Sequence, residues 1–316
     1  MKLPPVIARH ARQFGTFAVF VVLCAVISVL TPHFFTVTNL LNVAQQTVIN
    51  ALIAVGLTYV IISGGIDLSV GSILAFAGVV MAHTLRLGWP LPLAILAGVG
   101  VGAGCGLVNG LLIAYGRLPP FIATLGMMSV ARGGALLATD GRPVSGFDES
   151  FRWLATGEIA GVPVPVIIMV LVYAVAHLVL QRTKFGRYTY AIGGNEEASL
   201  LSGVPVRLYK IGIYAVGGGL AALGVGAAHG PAQLGAAHRR NLNYELDAIA
   251  ATVIGGTSLM GGQGSVIGTL IGALIMGVLR NGLNLLGVSS FIQQVVIGIV
   301  IIAAVLLDTF FKQSKR

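Results

Sequence analysis

Charge is what this sequence has least of. Asp, Glu, Lys and Arg make up 9% of its 316 residues, against about a quarter in a soluble domain. An ordinary water-soluble fold is excluded. Cysteine is nearly missing too: Cys24 and Cys105 both fall in apolar runs and read as small hydrophobes, not as a disulfide or a metal site. No GxxxxGK(S/T) occurs and no Lys follows a glycine-rich turn, so the chain has no loop to cradle a nucleotide phosphate. HExxH and GxSxG are also missing, which leaves an intramembrane protease or lipase without a nucleophile or a metal. GVGVGAGCG and GGGLAALGVG imitate nucleotide loops, but they lie inside apolar runs and read as close-packing helix surfaces.

What is present is oil. Hydrophobic residues reach 56% and the mean hydropathy is +0.93. Repeated apolar runs, each near the length that crosses a bilayer, predict helices and not a barrel. The expected fold is an all-α polytopic membrane protein, residues 1–316 forming one transmembrane domain of about ten helices. Spans are predicted over 14–30, 44–62, 72–84, 91–115, 119–139, 162–180, 208–229, 245–260, 265–286 and 291–308. The first is an uncleaved span: its apolar run is full-length, and Thr31-Pro32-His33-Phe34 offers no small-residue cleavage site. Phe34 to Val43 is expected to be external, with Asn39 capping the next helix. Residues 140–161 and 230–244 are also assigned outside, the latter with His238, Arg239 and Arg240, and the GGQG turn at 261–264 inside. Basic residues then concentrate on cytoplasmic segments, including both termini: Lys2, Arg9, Arg12, Arg117, Lys312, Lys315 and Arg316. A net charge of +9 therefore reports topology, not nucleic acid.

One long polar stretch interrupts the middle. Residues 181–210, QRTKFGRYTYAIGGNEEASLLSGVPVRLYK, carry Arg182, Lys184, Arg187, Arg207 and Lys210, which places the loop in the cytoplasm. Gly193-Gly194-Asn195 reads as a turn. Asn195 followed by Glu196 and Glu197 suits the capped start of a short helix with acids in its first turn. A short helix on a cytoplasmic loop is a docking element for another polypeptide.

The chain also repeats itself. NGLLIAYGRLPPFI (109–122) matches NGLNLLGVSSFI (281–292), and an acid opens a glycine-broken run upstream of each, Asp67 in IDLSVGS and Asp247 in ELDAIAATVIGG. Under the predicted topology the two halves, 14–139 and 162–308, are inverted repeats of five helices each, an architecture that places a pathway at the repeat interface. Asp67, Glu245 and Asp247 read either as pathway residues or as helix caps, with the cap favoured for Asp67 and Glu245. Asn109, Asn281, Gln293 and Gln294 either line a polar path or bond across helices.

SGGIDLSVGS, FGRYTYAIGGNEEASLLSGV, YELDAIAATVIGGTSLMGGQGS and NGLNLLGVSSF together resemble the permease subunit of bacterial ABC sugar importers, from about Phe34 to Asp308. The resemblance implies a pathway for a monosaccharide, ribose or a similar pentose, built from two permease copies in the bacterial inner membrane. It implies ATP and Mg on a separate ATP-binding subunit, and a periplasmic sugar-binding protein outside. It assigns Gly193, Gly194, Asn195, Glu196 and Glu197 to ATPase docking. The competing expectation is an ion-coupled secondary carrier for a small polar solute, using Asp67 or Asp247 for ion coupling.

Overall fold

The computed structural model describes residues 5–142, 144, 149–227 and 244–313. Thirteen α-helices stand among the described residues: α1 (Pro5–Leu30), α2 (Val37–Ile62), α3 (Val70–Arg86), α4 (Leu91–Ala114), α5 (Pro120–Thr139), α6 (Glu149–Thr156), α7 (Val164–Arg182), α8 (Lys184–Gly194), α9 (Glu196–Leu201), α10 (Val206–Leu223), α11 (Tyr244–Ile254), α12 (Val266–Leu285) and α13 (Ser290–Gln313). Six of them (α2, α4, α5, α7, α10 and α12) are long and apolar enough to cross a membrane.

The core is organised around α2. Its residues from Thr47 to Ile62 are almost all buried, because α7, α10, α11 and α12 surround it. A helix that is apolar on every face, such as α2, can be covered on every face. By contrast α4 and α7 keep large exposed apolar faces, as lipid-facing helices do.

The most extensive helix pairing joins α4 to α10. Glycine makes it possible. A Cβ on Gly106 would collide with the Tyr214 carbonyl, and one on Gly218 with the Gly102 carbonyl. Backbone-to-backbone contact of this kind replaces the hydrophobic drive that lipid does not supply. The glycine-rich runs are therefore packing surfaces. Elsewhere α1 lies on α12 through Ile27 and Val278.

Several boundaries differ from expectation. The second helix starts at Val37, so Phe34 to Val43 is largely helical. Its N-cap is Thr36, whose side chain accepts from the Asn39 backbone at 3.3 Å. Asn39 is not the cap, because its amide is engaged across the interface with α12. The predicted span 245–260 is also too long. Helix α11 stops at Ile254, where Gly255 and Gly256 follow, Gly256 at a φ of +89° that a side chain rarely tolerates. Eleven residues rise only about 16 Å, half of a hydrocarbon core.

The segment at 140–161 is not plain loop: it holds α6 and the first strand of a hairpin whose second strand, Val162–Pro163, follows it, pairing Glu158 with Pro163 and Ile159 with Val162. Ala160 and Gly161, both at positive φ, form its two-residue turn. Most of 230–244, including His238, Arg239 and Arg240, lies outside the described residues, as do Lys2, Lys315 and Arg316.

Candidate functional site

Two helices occupy the polar central loop where one was expected. Thr183 caps α8 by accepting from Gly186 N at 3.4 Å. Asn195 ends α8 and caps α9, its Oδ1 accepting from Ala198 N at 2.9 Å. Gly193 and Gly194 are the last turn of α8, not a turn between elements. Glycine is required at 193 for proximity: a Cβ there would collide with the Ile62 carbonyl oxygen at the end of α2.

That contact belongs to a larger junction. The Ile62 carbonyl accepts from Gly262 N at 2.8 Å. A Cβ on Gly261 would stand 2.7 Å from the Gly193 carbonyl oxygen and 3.0 Å from Gly64 N. The Tyr190 hydroxyl donates to the Gly264 carbonyl at 2.8 Å. Gly64, Gly261 and Gly262 all adopt positive φ. Three segments distant in sequence thus meet backbone to backbone: the end of α2, the end of α8, and the 255–265 turn. The predicted topology puts all three on one side of the membrane, and the structure gathers them into one body.

Aromatic rings hold α8 against its neighbours. Tyr59 of α2 lies 5.9 Å from Phe185, Phe185 lies 5.9 Å from Tyr209 of α10, and Tyr209 meets Tyr188 edge-on at 4.8 Å. Glu196 accepts two bonds from the Lys210 ammonium at 2.7 Å, and Glu197 is exposed beside it. A cleft of about 240 Å³ opens between Ser63–Gly65, the α8–α9 junction and Tyr214. On the outer surface Leu200 and Leu201 are 61% and 83% exposed, and Met260 of the adjoining turn is 78% exposed. These three were missed by sequence reasoning. The signal was there, since ASLLSG puts two leucines on a helix too short and too wet to bury them.

The remaining candidates do not converge on one site. Asp67 is fully buried in the break between α2 and α3; its Oδ1 accepts from Ser69 N at 2.8 Å and from the Ser69 hydroxyl at 2.5 Å. Asn109 of α4 donates to that hydroxyl at 3.0 Å. The cap of α3 is Ser69, two residues closer to the helix than Asp67. Asp67 Oδ2 and Asn109 Oδ1 have no hydrogen-bond partner among the described residues. Glu245, also buried, lays its Oε2 against Gly71 in the first turn of α3, where any Cβ would collide with it. Asp247 is ion-paired with Arg280 of α12, and Asn281 with Asn39 by hydrogen bonds. Gln293 bonds Asn284 and the Val288 carbonyl. Among the described residues no group of three or more His, Cys, Asp or Glu could hold a metal.

Residues 39–305 match the family model described as branched-chain amino acid transport system / permease component. The chain is 50% identical over 299 residues to the ribose import permease protein RbsC of Bacillus subtilis (strain 168), covering 94% of this chain and 92% of that one. It is 50% identical over 291 residues to the protein of the same name from Escherichia coli (strain K12), covering 91% and 90%. It is 38% identical over 301 residues to the D-allose transport system permease protein AlsC of the same strain, covering 94% and 91%. No solved structure matches. Several apolar spans and this near-complete match lead to one conclusion: the chain belongs to the branched-chain amino acid transport system / permease component family, as a multi-pass membrane permease subunit.

Proposed function

We propose that this chain is the membrane-spanning permease subunit of an ATP-driven importer that carries a monosaccharide, ribose or a similar pentose, across the bacterial inner membrane. The observation that carries this reading is the identity with ribose import permeases along nearly the whole chain. Two copies form the pathway. ATP and Mg act on a separate ATP-binding subunit, and a periplasmic sugar-binding protein delivers the cargo. Both termini are cytoplasmic, and ten segments enter the membrane as two inverted halves, α11 as a broken helix. The short α11 and the unwound 63–69 segment support this, since broken helices are how such repeats build a midplane pathway. Helix α9, with Asn195, Glu196 and Glu197 at its start, is the docking element, and exposed Leu200, Leu201 and Met260 extend it, while Gly193 and Gly194 close α8 behind it. Apolar side chains held out into the cytoplasm beside the acidic start of α9 are what an ATP-binding partner covers.

Reconstitution in proteoliposomes tests this. Uptake of labelled ribose is expected only with internal ATP, the ATP-binding subunit and external binding protein together. Uptake driven by an ion gradient through this chain alone overturns it.

A further inference from the structure

The glycine junction around the Ile62 carbonyl does more than seat the docking helix. We infer that Gly193, with Gly262 and Gly264, forms the joint through which movement of α8 and α9 reaches the transmembrane helices, so that these are positioning residues for transport. The inference rests on the importer reading above. Three features of the junction argue for it.

First, it ties the docking element to the centre of the fold. Ile62 ends α2, the helix around which the others pack, and the 255–265 turn joins α11 to α12. Any tilt of α8 therefore displaces both at once. Second, its contacts are stiff. They join backbone to backbone, with no flexible side chain between Gly193, Ile62 and Gly262, and packed backbone transmits displacement where a long side chain absorbs it. Third, the ion pair that links α9 to a spanning helix is weak. Glu196–Lys210 has side chains 56% and 18% exposed, and such pairs contribute about 0–1 kcal/mol.

Gly194 supplies the control. It neighbours Gly193, yet a Cβ at 194 would meet nothing within 4 Å. The experiment compares Gly193→Ala with Gly194→Ala in the reconstituted importer: this chain, its ATP-binding subunit and its binding protein, with ribose as probe. Three quantities are read: co-purification of the ATP-binding subunit, basal ATP hydrolysis, and its stimulation by ribose-loaded binding protein. For Gly193→Ala, co-purification and basal hydrolysis are expected to persist while stimulation and uptake fall about tenfold, within the usual range of coupling energies. Gly194→Ala is expected to match wild type. Equal behaviour of the two variants, or stimulation within about twofold of wild type for Gly193→Ala, overturns the joint. If Gly193→Ala fails to insert, Tyr190→Phe carries the test, since it removes the bond to the Gly264 carbonyl and keeps the ring. A lowered stimulation ratio supports the joint and an unchanged one overturns it. An importer reading that is itself wrong shows up separately, as wild-type chain that brings down no ATP-binding subunit.

Discussion

Asn39 and Asn281 hold each other by two hydrogen bonds: Asn281 Nδ2 donates to Asn39 Oδ1 at 2.9 Å, and Asn39 Nδ2 to Asn281 Oδ1 at 3.1 Å. Both are buried, one in the first turn of α2 and the other in the last turns of α12. Asn109, its counterpart in the repeated motif, bonds Ser69 ahead of α3 instead. The two asparagines of the motif therefore share a place near a helix end without sharing a partner.

Reciprocal pairing makes the energetics of Asn39 and Asn281 non-additive. Asn39→Leu or Asn281→Leu alone strands the other amide in an apolar interface, at a cost of about 1–3 kcal/mol. The double variant strands only the Phe34 carbonyl, which Asn39 Nδ2 also serves at 2.9 Å, and is expected to recover part of that loss. Thermal unfolding of the detergent-solubilised chain, followed through Trp89 and Trp153, reads the cycle. Additive losses would show that the amides act separately.

The Asp247–Arg280 pair should respond asymmetrically. The Asp247 side chain is 7% exposed and that of Arg280 44%. Arg280→Leu leaves a buried carboxylate without its cation, and losses of about 3–5 kcal/mol are usual for such a break. Asp247→Asn leaves a guanidinium that can reach solvent, so its loss should be the smaller. The opposite order in thermal midpoints would contradict the burial argument. The same pairing also weakens the ion-coupled alternative, because this carboxylate already has its cation.

At Asp67, amide should be tolerated where hydrocarbon is not. An amide at position 67 keeps an oxygen for Ser69 N–H and adds a donor near Asn109 Oδ1, which has no partner among the described residues. Asp67→Asn is expected to insert and unfold like wild type, or slightly better. Asp67→Leu orphans Ser69 N–H as well and is expected to lose about 1–3 kcal/mol. Midpoints that fall equally for both variants would mean that the carboxylate charge itself is needed.

The docking face predicts a separation of binding from folding. Leu201→Glu places a charge at a side chain that is 83% exposed, so the thermal midpoint should not move. Co-purification of the ATP-binding subunit should fall about thirtyfold if Leu201 is a hot spot of about 2 kcal/mol. Glu196→Lys with Glu197→Lys is expected to lose transport as well, since the first change sets a second ammonium against Lys210. Undiminished recovery of the partner with Leu201→Glu would move the docking face elsewhere.

The class of this protein is legible in its amino-acid sequence. Low charge, long apolar runs, the basic central loop and the Asn195-Glu196-Glu197 start are local or compositional signals. Lipid and the backbone's demand for hydrogen bonds leave helices as the answer. Helix ends were less legible. Thr36 displaced Asn39 as a cap only because Asn281 was waiting across an interface, and α11 ended at Gly255 and Gly256 inside what hydropathy counts as one run. Proximity came from the folded chain alone. Gly193 reads as a turn residue in sequence, yet it sits in a helix, and its missing side chain matters because the Ile62 carbonyl occupies the space. The same holds for Glu245 on Gly71 and Asp247 on Arg280. Such contacts join residues dozens to more than a hundred positions apart, and the spacing of residues along a chain carries no record of which distant backbone will arrive beside it.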